Sequence, residues 1–303
     1  TQTWTIEGST SCAASSYRWF RDVFCELEKA AGAASGISSY DMINNEIASV
    51  PPGANGVTYL SYLQGADGVR ANPNCAGVLE EGRLLLVDAG GESVEGYCSD
   101  HTRTYPVSGR FTDRQREIYE IVLAAHDLMP QIVKPGMMYN DIHRAAYLSL
   151  AEGLRAAGLI NGSAEDAVEA GAMYMFMPHG LGHGIGMDVH DCENMGERSF
   201  DFSSLLDRAK ASATCVHRAT WRVRPGTVMS DEPGIYFIPA LIDKSRSEGL
   251  YKGIVNYDRL DAYRDFGGIR IEDDLLVTET GCRIIGDKKI PVTVGELEAV
   301  VGR

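Results

Sequence analysis

The sequence has few histidines, no paired-cysteine motif and no excess of positive charge. Its 303 residues include seven histidines and seven cysteines, and the formal net charge is −14. Such an acidic chain does not attract nucleic acid or an anionic membrane surface, so we expect neither as a partner. No apolar run is long enough to span a membrane. The cysteines are scattered, odd in number and without a C-x-x-C pair, which favours reduced thiols in the cytoplasm over a disulfide framework.

From residue 80 onward, strand-like and helical segments follow one another. The stretches GRLLLVDAGG and EGYCSDHTRTYPV predict two strands that pair as a hairpin. Two amphipathic helices are predicted next, the first capped by Thr112 or Asp113 and the second capped by Asn140 or Asp141 and closed at Gly158. VRPGTVMSDEPGIYF and GGIRIEDDLLVTETGCRII predict further strands around tight turns.

One short segment, HGLGHGIGMDVHD, contains three of the seven histidines: His179, His183 and His190. A surface loop has no need of so many imidazoles, and a packed apolar core would leave them without hydrogen-bond partners. The segment therefore predicts one wall of a functional site.

Four acidic residues interrupt apolar strand segments elsewhere in the chain: Asp88, Asp100, Glu232 and Glu272. A buried carboxylate is costly unless it is paired, protonated or bound to a metal. Several such groups around one imidazole, that of His183, carry too much negative charge to coexist without cations. Oxygen ligands with a single histidine suit manganese, cobalt or zinc better than a thiolate site would.

Four motifs, DAGGESVEGYCSDHTRTYPVSGRFT, HGLGHGIGMDVHD, DEPGIYFI and GGIRIEDDLLVTETG, occur in the order found in pita-bread metallopeptidases. Residues 80–303 resemble most closely the Xaa-Pro dipeptidases (prolidases) and their aminopeptidase P relatives. The arginine of RIED, Arg270, points to this proline-directed branch rather than to methionine aminopeptidases. The resemblance implies an α+β fold, with a curved antiparallel sheet and flanking helices.

The resemblance also implies a two-metal centre whose ligands are Asp88, Asp100, His183, Glu232 and Glu272. Asp100 and Glu272 would bridge the two ions, Asp88 would complete one site, and His183 with Glu232 would complete the other. Manganese is the expected metal, with cobalt or zinc as alternatives.

Four further residues acquire expected roles from the same resemblance. His179 and His190 match the histidines that contact the scissile carbonyl and its surroundings, and Arg270 matches an arginine beside the site. Arg218 lies in a stretch that resembles the prolidase segment carrying a carboxylate-binding arginine, and a guanidinium fork suits the C-terminal carboxylate of a dipeptide. Glu232 is also expected to shuttle a proton to the leaving proline nitrogen.

The implied activity is hydrolysis of the peptide bond before proline by a metal-bridging hydroxide. The expected substrates are short proline-containing peptides, dipeptides first, and the resemblance implies a homodimer. Two rival functions stay open: a creatinase-like amidohydrolase of the same architecture, and a non-catalytic or catalytically impaired pita-bread protein.

Two departures from the family pattern lie within the first motif and upstream of it. Asp88 and Asp100 are one residue further apart than is usual in the family. Because side chains alternate along a strand, a slipped register would turn one of them away from the site, whereas an insertion confined to the turn would be harmless. A histidine that prolidases carry upstream of the first metal aspartate has no counterpart, since the first histidine of this chain is His101.

Residues 1–79 do not resemble the first part of the pita-bread domain. GST at Gly8, RWFRD at Arg18 and VPPGANGVTYLSYLQG at Val50 resemble pieces of the C-terminal domain of FGGY-type sugar kinases. The other kinase domain and a G-x-x-x-x-G-K-[ST] phosphate loop are missing, so kinase activity is not expected. A carbohydrate kinase remnant stays open as a third rival function, which ATP and sugar binding would test. The sequence thus predicts a two-part chain, either a fusion or a chimera, in which residues 80–303 form the catalytic region.

Overall fold

The computed structural model describes residues 29, 35–41, 81–191, 222–286 and 288–302. The strands in these ranges are β1 (Leu84–Glu92), β2 (Cys98–Pro106), β3 (Val228–Asp231), β4 (Gly234–Phe237), β5 (Gly267–Arg270), β6 (Asp273–Val277) and β7 (Cys282–Ile284). The helices are α1 (Asp113–Ile132), α2 (Tyr139–Ala156), α3 (Ala164–Glu169), α4 (Pro239–Ser247), α5 (Tyr257–Leu260) and α6 (Val294–Val301). The mixture of helices and antiparallel strands confirms the predicted α+β class.

The predicted hairpin is formed by β1 and β2, which pair antiparallel. Asp88 lies opposite Thr102, and Gly90 lies opposite Asp100. Side chains two residues apart on a strand share a face, so Asp88, Asp100 and Thr102 all project from the same side of the hairpin. The additional residue between the two aspartates therefore turns neither of them away from the other.

Two further antiparallel groups lie next to the hairpin, one in the order β3-β6-β7 and the other formed by β4 and β5. Thr102 and Glu272 exchange backbone hydrogen bonds of 3.3 and 3.0 Å. The hydroxyl of Thr104 also accepts the backbone N–H of Arg270 at 3.1 Å. These contacts fasten the middle of β2 to the junction between β5 and β6.

Helix α1 begins where the sequence predicts it. Thr112 is its N-cap and forms a capping box with Gln115, in which each side chain accepts a hydrogen bond from the other residue's backbone N–H. Its buried face contributes these residues to the core: Ile118, Tyr119, Val122, Ala125 and Met129. A Cβ added at Gly153 of α2 would lie 2.3 Å from the Ile121 side chain, so glycine permits close packing of the two helices.

The predicted cap of α2 is wrong. The cap residue is Met138, and the helix starts at Tyr139, which places Asn140 and Asp141 inside the first turn. Met138 has an extended backbone and forms a bridge with Arg222, and this pairing fixes the point at which the helix can begin. The other end agrees with the prediction: α2 stops at Ala156, and Gly158 follows with a positive φ of 74°.

Helix α2 supports the histidine-rich segment. The buried ring of His143 accepts the backbone N–H of Leu181 at 3.0 Å. Four residues further along the helix, the Tyr147 hydroxyl donates to the carbonyl of Met177 at 2.9 Å. The segment between His179 and His183 is therefore held against a helix whose own inner face is buried.

None of the helices within the described ranges combines the length and the apolar content that a membrane crossing requires.

Candidate metal centre

Three of the predicted ligands converge on one point. Asp100, His183 and Glu272 each offer one ligand atom, and these atoms lie within 4.8 Å of one another. Nε2 of His183 lies 3.6 Å from a carboxylate oxygen of Asp100. Strand β2, the histidine-rich segment and the β5–β6 junction thus each deliver one side chain to the same place.

Glu232 is the fourth member of this group. It directly follows β3, and its Oε1 lies 3.5 Å from Nε2 of His183. Its other oxygen, Oε2, lies 3.8 Å from Nδ1 of His179. Glu232 therefore lies between His183, which is expected to bind metal, and His179, which is expected to contact the substrate.

Burial makes this group electrostatically unfavourable without a cation. Glu272 and His183 are 1% and 2% exposed. Burial raises the pKa of Glu232 to about 7, and burial together with the charge of Glu232 raises the pKa of Glu272 well above its usual value. Burial also opposes ionisation of Asp100, but hydrogen bonds from His183 and from the Asp88 carboxyl outweigh it and lower the pKa of Asp100.

Asp88 joins the centre through Arg270. The Asp88 carboxylate pairs with the Arg270 guanidinium, and its side chain is 46% exposed. Burial and the nearby Asp100 nevertheless raise the pKa of Asp88, with Arg270 acting in the opposite direction. The structure therefore brings Asp88 to the edge of the centre and places the other four predicted ligands deeper.

Arg270 is the positive charge inside this acidic group. It is 5% exposed, and its Nε lies 3.9 Å from an oxygen of Glu272 and 4.0 Å from one of Glu232. Its guanidinium also donates to the hydroxyls of Thr102 and Tyr236, at 3.1 and 2.9 Å. One guanidinium offsets only part of the charge of the surrounding carboxylates.

The two other histidines of the motif lie beside the centre. Nε2 of His179 is 3.0 Å from the hydroxyl of Tyr236, and its Nδ1 is 2.7 Å from the carbonyl of Gly180. The ring of His190 stacks on that of His183, with centroids 3.8 Å apart and planes inclined by 17°. Because His190 is exposed and His179 is only partly buried, both rings can meet a ligand that enters from solvent.

Sequence reasoning missed two hydroxyl groups of the site. The Thr102 hydroxyl donates to Glu272 at 2.5 Å, and the Tyr236 hydroxyl bridges Arg270 and His179. A usable signal existed for both: Thr102 is two residues after Asp100 on the same strand face, and Tyr236 follows Glu232 within the DEPGIY motif. Predicted Arg218 and the stretch in which the upstream histidine is missing lie outside the described residues.

Asp273 and Asp274 follow Glu272 in the chain, and their side chains contact Asp100 and residues next to the proposed ligands. Arg103 donates two hydrogen bonds to Asp273, at 2.8 and 3.0 Å, and His126 lies 3.0 Å from the same carboxylate. Asp274 accepts the backbone N–H of Asp100 at 3.1 Å. Both aspartates are buried and support the strands that carry the predicted ligands.

Glycines let the histidine-rich segment run directly beside β3. Backbone hydrogen bonds join Ser230 to His183 and Glu232 to Leu181, at 2.9 and 2.8 Å. A Cβ added at Gly182 would lie 2.1 Å from the carbonyl oxygen of Ser230. A side chain at this position would therefore push the segment off the strand.

We expect Gly182→Ala to lower the free energy of unfolding by ~2 kcal/mol or more, since overpacking against backbone costs ~1–3 kcal/mol. Gly184→Ala is the matched control, because the nearest atom to a Cβ there is the Asp191 carbonyl oxygen at 3.5 Å, an ordinary contact. Urea unfolding of both variants measures the difference. Equal losses would show that the close approach at Gly182 does not limit the packing.

The residues present suit a divalent cation. The donor set consists of carboxylate oxygens and one imidazole, which fits manganese, cobalt or zinc. The raised pKa values of the buried glutamates show that negative charge there lacks full compensation. Asp100, His183 and Glu272, with Glu232 beside them and Asp88 at the outer edge, are the residues that could hold such an ion.

Comparison with known proteins identifies the family of this chain. The profile of metallopeptidase family M24 matches residues 26–279. An Xaa-Pro dipeptidase of Rattus norvegicus is 37% identical over 223 residues, which cover 73% of this chain and 43% of that protein. A probable Xaa-Pro aminopeptidase of Botryotinia fuckeliana, pepP, is 37% identical over 202 residues, which cover 66% of this chain and 42% of that protein.

The solved structure of Pseudomonas aeruginosa aminopeptidase PepP has the same fold. It is 31% identical and matches with a TM-score of 0.58, over 76% of this chain and 44% of that one. This chain thus spans less than half the length of the relatives that it matches. The family match starts at residue 26, upstream of the boundary predicted at residues 79/80, and that boundary and the sugar-kinase resemblance stay predictions. The chain belongs to metallopeptidase family M24 and has the pita-bread fold that its motifs predicted.

Proposed function

We propose that this chain hydrolyses the peptide bond before proline in short peptides, with dipeptides as the preferred substrates. The observation that carries the proposal is the convergence of Asp100, His183 and Glu272 within 4.8 Å of one another, with Glu232 adjacent to His183. Relatives named Xaa-Pro dipeptidase and Xaa-Pro aminopeptidase support the choice of substrate.

The proposed centre holds two divalent ions, manganese first. Asp88, Asp100, His183, Glu232 and Glu272 would hold these ions through their carboxylate oxygens and one imidazole nitrogen. When bound, such ions lower the pKa of water and polarise a carbonyl group.

Protein side chains supply the remaining functions. Glu232, whose carboxylate lies 3.5 Å from Nε2 of His183, is the proposed group that takes a proton from the attacking water and returns it to the leaving proline nitrogen. His179 and His190 are the proposed donors to the carbonyl oxygen as it gains charge. Arg270 offsets the negative charge of Asp88, Glu232 and Glu272 without itself being a ligand.

Arg218 is the proposed partner of the substrate's C-terminal carboxylate. A guanidinium there would favour dipeptides, whose free carboxylate lies one residue beyond the scissile bond. The homodimer and the cytoplasmic location remain predictions, as does the division of the chain into residues 1–79 and 80–303.

A substrate panel tests the proposal. Manganese-loaded protein is incubated with glycyl-proline, glycyl-leucine, a longer peptide with proline in second position, and creatine. Cleavage of glycyl-proline with no cleavage of glycyl-leucine is the expected result. Turnover of creatine alone would identify an amidohydrolase, and binding of glycyl-proline without turnover would identify a non-catalytic protein.

A further inference from the structure

Ser230 contacts two of the proposed ligands at once. It lies on β3 and is 1% exposed. Its hydroxyl oxygen accepts the backbone N–H of His183 at 3.0 Å. The same hydroxyl donates to Oε1 of Glu232 at 3.3 Å.

The directions of these hydrogen bonds follow from the chemistry of a hydroxyl group, which has one hydrogen and two lone pairs. An amide N–H can only donate, so one lone pair of Ser230 is committed to His183. The single hydrogen is then free for Glu232. The carboxylate oxygen that receives it is the one 3.5 Å from Nε2 of His183. Ser230 therefore fixes the main chain of one ligand and the carboxylate of the other.

We propose that Ser230 is a positioning residue that sets the separation between the His183 imidazole and the Glu232 carboxylate for a divalent ion. The inference rests on the proposed function, because it assumes that these two side chains are ligands. Hydrogen bonds that orient metal ligands are worth ~10–100-fold in metal affinity or activity. Burial strengthens the case, since water cannot readily take the place of the hydroxyl.

Ser230→Ala removes both hydrogen bonds, and Ser230→Thr retains the hydroxyl. Ser245→Ala is the matched control, since Ser245 is a buried serine of α4 whose neighbour is Tyr257. Manganese affinity is measured by isothermal titration calorimetry at a temperature where thermal scans show each metal-free variant to be folded. We expect Ser230→Ala to bind manganese ~10–100-fold more weakly, while Ser230→Thr and Ser245→Ala stay close to the unsubstituted protein.

A merely structural role predicts another pattern. Ser230→Ala and Ser245→Ala would then both lower the unfolding temperature of the metal-free protein and leave manganese affinity unchanged. That result, in a protein whose unsubstituted form binds manganese and cleaves glycyl-proline, would overturn the positioning role alone. If the unsubstituted protein binds no manganese, the proposed function fails first, and the role of Ser230 fails with it.

Discussion

Replacing His183 by alanine is expected to lower manganese affinity and glycyl-proline hydrolysis by at least ~100-fold each, since loss of a group that merely orients a ligand already costs ~10–100-fold. The His183 imidazole is 2% exposed and lies 3.6 Å from Asp100 and 3.5 Å from Glu232. Without the imidazole, the two carboxylates remain beside an empty space, and the proposed site has one metal ligand fewer. Metal analysis and steady-state kinetics on the same sample measure both effects.

His190→Ala is the matched control for this prediction. The His190 ring stacks on His183 but is exposed, and it is proposed to contact substrate rather than metal. The variant should therefore keep its metal and lose turnover. If His183→Ala retained full metal content and full activity, His183 would have to be removed from the ligand set.

Arg270→Met is expected to destabilise the metal-free protein by ~3–5 kcal/mol, the usual cost of removing one partner from a buried ion pair. The guanidinium is 5% exposed and lies close to Asp88, Glu232 and Glu272. Its loss leaves three carboxylates without their nearest positive charge. Bound manganese supplies positive charge in its place, so the deficit should be smaller in the metal-loaded protein. Urea unfolding with and without manganese measures the difference.

The loss of stability caused by Arg270→Met in the metal-free protein should increase with pH. Glu232 has a folded-state pKa of about 7, above its usual value because of burial, and loss of Arg270 would raise it further. A group whose pKa is raised by folding loses its stabilising contribution as pH increases through the folded-state value. The deficit of Arg270→Met should therefore grow from pH 6 to pH 8 and shrink in acid.

Arg264→Met serves as a surface control for the Arg270 experiment. Arg264 forms two hydrogen bonds with Asp243, at 2.7 and 2.8 Å, but the Asp243 side chain is 57% exposed. A pair open to solvent contributes little to the free energy of unfolding. A loss at Arg270 no larger than that at Arg264 would contradict a central electrostatic role for Arg270.

Local signals in the sequence were sufficient for several elements. The Thr112 capping box, the pairing of β1 with β2 and the end of α2 near Gly158 depend on residues close together in the chain. The cap of α2 was wrong because a distant partner, Arg222, pairs with Met138 and decides where the helix starts. Short-range patterns cannot reveal such a constraint.

In the candidate site, too, some features follow from local sequence and others depend on distant partners. The predicted ligands Asp100, His183 and Glu272 meet in the structure, and they were recognisable because each stands in a motif of known order. The spacing from Asp100 could place Thr102 on the site's face of β2, but it could not identify the partner Glu272, 170 positions away. No local pattern links Ser230 to His183, 47 positions away. Their roles depend on the register between elements, and the register of distant strands is not encoded in the sequence of either strand alone.

The central claim is that this acidic cluster is a two-metal catalytic centre. Its most direct test is hydrolysis of glycyl-proline by metal-stripped protein at pH 8, with and without added manganese, combined with metal stoichiometry on the same sample. The account predicts turnover only when manganese is present, with about two ions per chain. Undiminished turnover by protein that holds no metal, or the absence of both metal and turnover after manganese is added, would contradict it.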